Sequence, residues 1–232
     1  MCGRFTLTTD VEDLAALFGA ERYPEELVPS YNIALGSPVA AIVGNIEGSG
    51  NTGRTVRDIS HFEWGLVPSW AKDTGMGRKL INARSETAHE KPSFRSAFRK
   101  RRCLIPADGF YEWMKTPDGK RPHYIGLGDG TPFAFAGLWE SWPGNEEEEG
   151  KLTCTILTTE ANALMKRIHN RMPVILDEES YAAWLDPDFD DTDALRDMLR
   201  PYTPSAMETY EVSRIVNSPA NNTEKCVEPV LG

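Results

Sequence analysis

Apolar residues three and four apart in "TDVEDLAALFGA" predict a short amphipathic helix with Val11, Leu14, Leu17 and Phe18 on one face. Thr9 or Asp10 supplies its cap and Gly19 its stop. "PVAAIV" and "HFEWGLV" read as strands on either side of "GNIEGSGNTGRTVRD", whose Gly and Asn content predicts a mobile loop. "PSFRSAFRKRR" opens on proline and sets Phe94 and Phe98 four apart, the pattern of a helix with one apolar stripe. Then come the β-type runs "CLIPADGFYEWMK", "PHYIGL", "PFAFAGLWESW" and "LTCTILTT", separated by turn signals such as Pro117-Asp118-Gly119 and Asp129-Gly130. "GNEEEEG" reads as an acidic, disordered loop tip. "TEANALMKRI", capped by Thr158 or Thr159, predicts a further helix ending at "HNRMPVIL". Helices around "EESYAAWL" and "DTDALRDML" and a last strand "METYEVS" complete the chain.

The pattern shows neither repeats nor a linker. It predicts one α+β domain over residues 1–232, with a largely antiparallel, barrel-like β core flanked by short helices. The length allows a sizeable core, and no run approaches the roughly 18 apolar residues of a membrane helix. A secretory signal is absent from the pattern, so an intracellular, non-membrane protein is expected. Cys2, Cys103, Cys154 and Cys226 are scattered without metal-ligand spacing, which predicts reduced thiols, no metal and no cofactor.

Charge changes the picture. The net charge is −10, yet residues 78–103 carry nine Lys/Arg against Glu86 and Glu90. Such segregation suits a phosphate-binding face on an acidic body, and equally a solvated basic helix.

Several stretches place polar groups in apolar settings. "ADGFYEW" sets Glu112 on one strand face with Phe110 and Met114, where a carboxylate needs a partner and is suited to proton transfer. "INARSET" holds Asn82, Arg84 and Glu86, "RIHNRMP" puts His169 before a helix-ending proline, and "FEWGLVPSW" carries Trp64 and Trp70 for packing or stacking. Cys2 follows the initiator methionine. It reads either as a small hydrophobe at the start of a strand or, once Met1 is trimmed, as a 1,2-aminothiol. The latter condenses with an aldehyde through its amine and closes a five-membered ring through its thiol.

The motifs "MCGRF", "YN", "WGLVPSW", "NARSET", "ADGFYEW", "IHNRMPVIL" and "VNSPANN", in this order along nearly the whole chain, resemble the SOS response-associated peptidase (SRAP) family of abasic-site processing proteins. The resemblance implies covalent capture of abasic sites in single-stranded DNA as a thiazolidine, by a protein expected to be a monomer. By residue match, Cys2 is the nucleophile after Met1 removal, by autoproteolysis or otherwise. Asn82 holds the aminothiol and sugar, Glu112 shuttles protons, and His169 polarises the opening sugar and the Schiff base. Arg4 and Arg84 match phosphate-binding arginines, and Trp70, Thr158 and Arg171 further DNA-binding positions. The chain departs from the pattern at Leu35, where related sequences often carry proline, and at Ala71, where some carry a second tryptophan. Both fall where the family wedges into bent DNA.

Two other classes fit parts of the chain. An N-terminal-nucleophile amidohydrolase or thiol peptidase would use Cys2 on an amide. A non-covalent reader of modified DNA would need Arg84 and the aromatics, and would keep its binding when Cys2 is replaced.

Overall fold

The computed structural model describes residues 2–48 and 53–230. The strands are β1 (Arg4–Leu7), β2 (Ser30–Ala34), β3 (Pro38–Glu47), β4 (Arg54–Trp64), β5 (Asn82–Arg84) and β6 (Arg102–Ala107). They continue with β7 (Gly109–Thr116), β8 (Gly119–Leu127), β9 (Phe133–Gly144), β10 (Glu149–Glu160), β11 (Arg171–Pro173) and β12 (Met207–Glu211). Short helices α1 (Val11–Phe18), α2 (Ser85–Ala88), α3 (Arg95–Lys100), α4 (Tyr181–Leu185) and α5 (Thr192–Asp197) flank them.

Strands β4, β3, β6, β9 and β10 pair in sequence, and β10 returns to β4, so five strands close a barrel. Every seam is antiparallel except β4–β10, where Glu63 and Trp64 lie parallel to Thr153 and Cys154. Closure buries both faces of much of β10, with Thr153 through Thr158 at 0% exposure, which is why "LTCTILTT" is almost uniformly β-prone rather than alternating. A second, antiparallel sheet runs β12-β8-β7-β1-β2. It meets the barrel through edge-on ring contacts: Phe5 against Trp64 (5.2 Å) and Phe135 (5.8 Å), and Phe110 against Phe135 (5.9 Å). The expected single α+β domain with a largely antiparallel barrel-like core is the observed architecture.

Several local expectations change. The stretch predicted as a loop is mostly hairpin, with Asn45 opposite Val56 and Glu47 opposite Arg54. Its charged flanks are braced by Arg22–Glu47 and by Arg54–Glu21 at 2.7 Å. Residues 49–52 lie outside the described residues. "CLIPADGFYEWMK" divides at Asp108 between the barrel strand β6 and the second-sheet strand β7. The Asp108 carboxylate accepts from the Thr8 N–H (2.5 Å) and from the hydroxyls of Thr8 and Thr9 (both 2.7 Å). Thr9 is therefore spent on this corner rather than on α1, whose N-cap Asp10 makes no side-chain cap bond. Gly19 does end α1, at φ 62°, but Leu17 faces outward and Ala15 takes its place in the buried face.

"TEANALMKRI" is not a regular helix. Thr158 and Thr159 extend β10, where Thr158 pairs with both Arg84 and Pro173, and only Met165–Arg167 makes a 3-10 turn. The Asn162 side-chain oxygen accepts from the Met165 N–H at 2.9 Å, fixing that turn. The "GNEEEEG" run is ordered as a tight turn, because Asn145 Oδ1 accepts from the N–H groups of Glu147 and Glu148, both at 2.8 Å. Glu148 in turn accepts from the Thr74 hydroxyl at 2.9 Å.

Candidate active site at the seam between the sheets

The pairing of β1 with β7 sets Phe5 opposite Phe110 and Thr6 opposite Gly109. Gly109 is required there, since a Cβ would lie 2.2 Å from the Tyr124 ring, whose hydroxyl meets Thr6 Oγ1 at 3.1 Å. Continued toward the start of the chain, this register carries Cys2 alongside Glu112 and Trp113. Strand alternation turns Phe110 and Glu112 toward the barrel, and Tyr111 and Trp113 toward the C-terminal segment. From the barrel side, Asn82 on β5 donates its amide to the Cys2 carbonyl at 2.7 Å. Cys2, Asn82 and Glu112 thus converge from three strands' worth of sequence on one seam. Asn82 Oδ1 is buried with no hydrogen-bond partner among the described residues, an acceptor left for something else.

Cys2 is wholly buried and Glu112 is only 4% exposed. Burial, and secondly the Glu112 charge, push the Cys2 thiol well above its ordinary range. Its Sγ–H points to the Arg4 carbonyl, 3.6 Å away. A thiol held protonated in this way differs from the depressed thiols of enzymes that attack with a resting thiolate. One carboxylate oxygen of Glu112 accepts from the Trp113 N–H at 3.4 Å.

His169 stands in the β10–β11 connection, where its Nδ1 accepts from the Arg171 N–H at 3.0 Å. That bond makes Nδ1 the acceptor and leaves Nε2 as the proton-bearing nitrogen of the neutral ring. His169 shares a cavity of about 340 Å³ with Trp113, Lys115, Lys166 and Arg167. Trp113 is thereby the link between His169 and Glu112, and nothing but its place beside Glu112 marks it in the sequence.

Arg84 is exposed and lies two residues from Asn82 on β5, so both side chains leave the same face while Ala83 is buried behind them. Thr158, paired with Arg84, is itself buried; its carbonyl accepts from Arg171 at 2.6 Å. Arg171 also makes a two-pronged ion pair with Glu86, one contact at 2.9 Å. Thr158 therefore reaches any surface only through the position it gives Arg171. Trp70 stands 60% exposed on the loop after β4, whereas Trp64 is core, its indole N–H on the Ile81 carbonyl. Leu35 is exposed beside Gly36 (φ 79°), and the Ala71 carbonyl accepts from the Trp142 indole at 2.8 Å.

Arg4 is engaged inside the fold. It donates to Asn32 Oδ1 (2.6 Å) and to the carbonyls of Val216 (2.8 Å) and Asn217 (3.4 Å). Asn32 in turn donates to the carbonyls of Val216, Ser218 and Asn221, and Asn217 accepts from the Trp113 indole at 2.8 Å. The "YN" and "VNSPANN" stretches thus form one clasp that ties the C-terminal segment to the strand carrying Cys2. A buried Asn at the end of "YN" was the available signal for this, but its carbonyl partners lie more than 180 residues away.

The described residues contain no cluster of His, Cys, Asp and Glu able to hold a metal ion, and no helix long and apolar enough to cross a membrane. All four cysteines are buried and unbridged.

Comparison with known proteins gives a consistent picture. A family model for the SOS response associated peptidase (SRAP) matches residues 1–219. The chain is 47% identical over 232 residues to the abasic site processing protein YoqW of Bacillus subtilis, covering 98% of this chain and 99% of that one. It is 30% identical to the abasic site processing protein HMCES of Xenopus tropicalis, over all of this chain and 79% of that one. A solved protein from Bacteroides thetaiotaomicron superposes with a TM-score of 0.83 at 27% identity, covering 99% of this chain and 100% of its own.

Proposed function

The chain belongs to the SOS response associated peptidase family, and on that premise we propose that it captures abasic sites in single-stranded DNA covalently through Cys2. The relatives named as abasic site processing proteins support the substrate. The observation that carries the chemistry is the seam itself: the Cys2 carbonyl fixed by Asn82, with Glu112 close enough to raise the thiol. Loss of Met1, which lies outside the described residues, frees the α-amine.

The reaction proceeds amine first. An abasic deoxyribose is mostly a closed hemiacetal. Opening it moves the 1′-hydroxyl proton to a base and delivers a proton to the ring oxygen, tasks we assign to Glu112 and the His169 Nε2–H. The α-amine, with an ordinary pKa of about 7.7–8.0, is substantially neutral near neutral pH and attacks C1′. A proton from Glu112 turns the carbinolamine hydroxyl into departing water, leaving a Schiff base. The Cys2 Sγ then bonds to C1′ while the C=N electron pair returns to nitrogen. The thiol proton passes to Glu112, and Glu112 returns one proton to His169 Nε2, so that carboxylate and imidazole both end as they began. The net change is one aldehyde and one aminothiol giving one thiazolidine and one water.

A raised thiol suits this order, since it stays protonated until the imine exists. Amine and thiol belong to one residue, so closure is intramolecular and fast. Fast closure protects the strand, because β-elimination requires the Schiff base to persist. Arg84 and Arg171 would meet backbone phosphates, and Trp70 would offer a stacking face. Arg4 serves by anchoring the clasp beneath Cys2. The lyase-like nicking belongs to the same proposal as a side activity of the amine, and the removal of Met1 as one of the Cys2 thiol and Glu112, since the α-amine exists only once Met1 has gone.

The test compares Cys2→Ser with the parent on single strands with and without one abasic site. The parent should give a heat-stable adduct with the abasic strand alone. Cys2→Ser, left with an amine and a poorer ring-closing group, should give an adduct that needs borohydride trapping, together with strand nicking. Undiminished stable adduct from Cys2→Ser would refute the thiazolidine.

A further inference from the structure

The nine cations of residues 78–103 do not act together. Arg102 is buried, donating to the carbonyls of Phe98 (3.0 Å), Trp184 (2.7 Å) and Phe189 (2.8 Å) as well as those of Arg99 and Asp186. Arg101 pairs with Glu140 at 2.7 Å. Both are consumed by the fold. Arg95, Arg99 and Lys100 instead surround a cavity of about 350 Å³ on the outer face of α3, together with His89 and Ser96. Among the described residues no carboxylate lines it.

Local structure explains the arrangement. Phe94, Ala97 and Phe98 bury one side of α3, which leaves Arg95 and Arg99, four apart, side by side on the other. His89 closes the end of the cavity. Its ring leans on Phe98 at 6.0 Å, its Nε2 lies 3.3 Å from Glu90, and its Nδ1 is buried without a hydrogen-bond partner among the described residues. Three cations grouped with no carboxylate in the lining, and Glu90 alone at the rim beside His89, on a chain of net charge −10, match a polyanion.

The cavity is also close in the chain to the strand that carries Asn82 and Arg84. Only the one-turn helix α2 separates Arg84 from His89.

We propose that this cavity is a second phosphate-binding subsite, which grips the backbone of the same DNA strand a few nucleotides beyond the one held at Cys2. The proposal rests on the reading of single-stranded DNA as the partner, but not on covalent capture. Arg95 and Arg99 supply the principal contacts, and Lys100, which also donates to the Pro187 carbonyl at 3.1 Å, a lesser one.

The experiment uses the full chain and an intact single strand of about 30 nucleotides without a lesion, titrated over a salt series by fluorescence anisotropy. Loss of two phosphate contacts in Arg95→Gln/Arg99→Gln should lower the slope of log K against log salt by about 1.4 and weaken binding roughly 25-fold near 0.1 M salt. Capture of a short abasic strand that ends at the lesion on the side of α3, and so cannot reach the cavity, should keep its rate. Glu90→Gln, which lifts a negative charge from the rim, should tighten binding of the long strand about threefold. An unchanged salt slope in the double variant overturns the subsite. So does an equal loss on the short and long strands, which would place the arginines at the Cys2 site. Because the titrated strand carries no abasic site, a chain that binds without crosslinking leaves this inference standing and removes only the capture chemistry.

Discussion

Replacing Glu112 with Gln separates two effects that a generic loss of structure would not. The substitution preserves the shape of a side chain that is 4% exposed and removes its charge. That charge is the second cause, after burial, of the raised Cys2 thiol. Its loss should ease ionisation of the thiol and raise the thiolate fraction at a given pH. Burial persists in the variant, so the thiol remains raised. Removing the proton carrier has the opposite consequence for capture. General acid–base assistance contributes about 10²–10⁴-fold, or about 2.7–5.4 kcal/mol of barrier. Two rates on Met1-free protein read the two effects: single-turnover crosslinking to an abasic strand on denaturing gels, and alkylation of Cys2 by iodoacetamide followed by mass across a pH series. The expected pattern is faster alkylation at a given pH with crosslinking slowed at least about 100-fold. Crosslinking that stays within about threefold of the parent would refute Glu112 as the proton carrier. Crosslinking that accelerates in step with alkylation would make thiol ionisation the limiting event and reverse the amine-first order.

Other consequences are open to direct measurement. Arg102→Ala strips donors from five carbonyls that join the end of α3 to the end of α4, and should cost about 3 kcal/mol or more in urea unfolding; less than about 1 kcal/mol would contradict that role. Burial raises the thiols of Cys2, Cys103 and Cys154 in the folded state, so the unfolded chain loses these protons first. Their stabilising contribution is therefore complete below about pH 8.5 and declines above it, by up to about 1.4 kcal/mol per pH unit for each thiol. Urea midpoints that do not fall between about pH 7.5 and 9.5 would count against it. Arg84→Gln removes an exposed cation and should leave Tm unchanged while lowering the single-strand salt slope by about 0.7; an unchanged slope would place Arg84 off the DNA path.

What the sequence disclosed follows from the range of the interactions involved. The helices at Val11–Phe18, Arg95–Lys100, Tyr181–Leu185 and Thr192–Asp197 were legible because each declares itself through local spacing, though only the last keeps a side-chain cap, from Asp191. Barrel closure was less so. It depends on β10 lying parallel to β4 some ninety residues earlier, and on β5 adding to the same edge, pairings that leave no local signal. The hairpin β3–β4 was hidden because its outer half carries Gly, Asn and charged residues, which lower strand propensity while the ladder and the flanking ion pairs hold it. The run after β10 misled for a related reason: Thr158 and Thr159 are plausible caps, yet both are claimed by strand pairing on β10.

At the site, residue types pointed to Cys2 and Glu112 and the family resemblance to Asn82, and the fold brings these three to one seam. The clasp of Arg4 and Asn32 on the C-terminal carbonyls was not legible, since a side chain bonding to backbone carbonyls imposes no residue type on its partner. The partition of the basic segment was hidden too. Arg102 and Arg95 are alike in composition, and only the packing of α3 turns one into the core and the other toward solvent.

The central claim is that Cys2, freed of Met1, closes a thiazolidine on an abasic sugar, and intact mass tests it most directly. The purified protein is weighed before and after mixing with a single strand bearing one abasic site, without reductant. The account predicts a chain lacking Met1 that shifts by the mass of the strand less one water, in an adduct that survives heating and maps to Cys2. A Met1-free chain whose mass is unchanged by the abasic strand would contradict it.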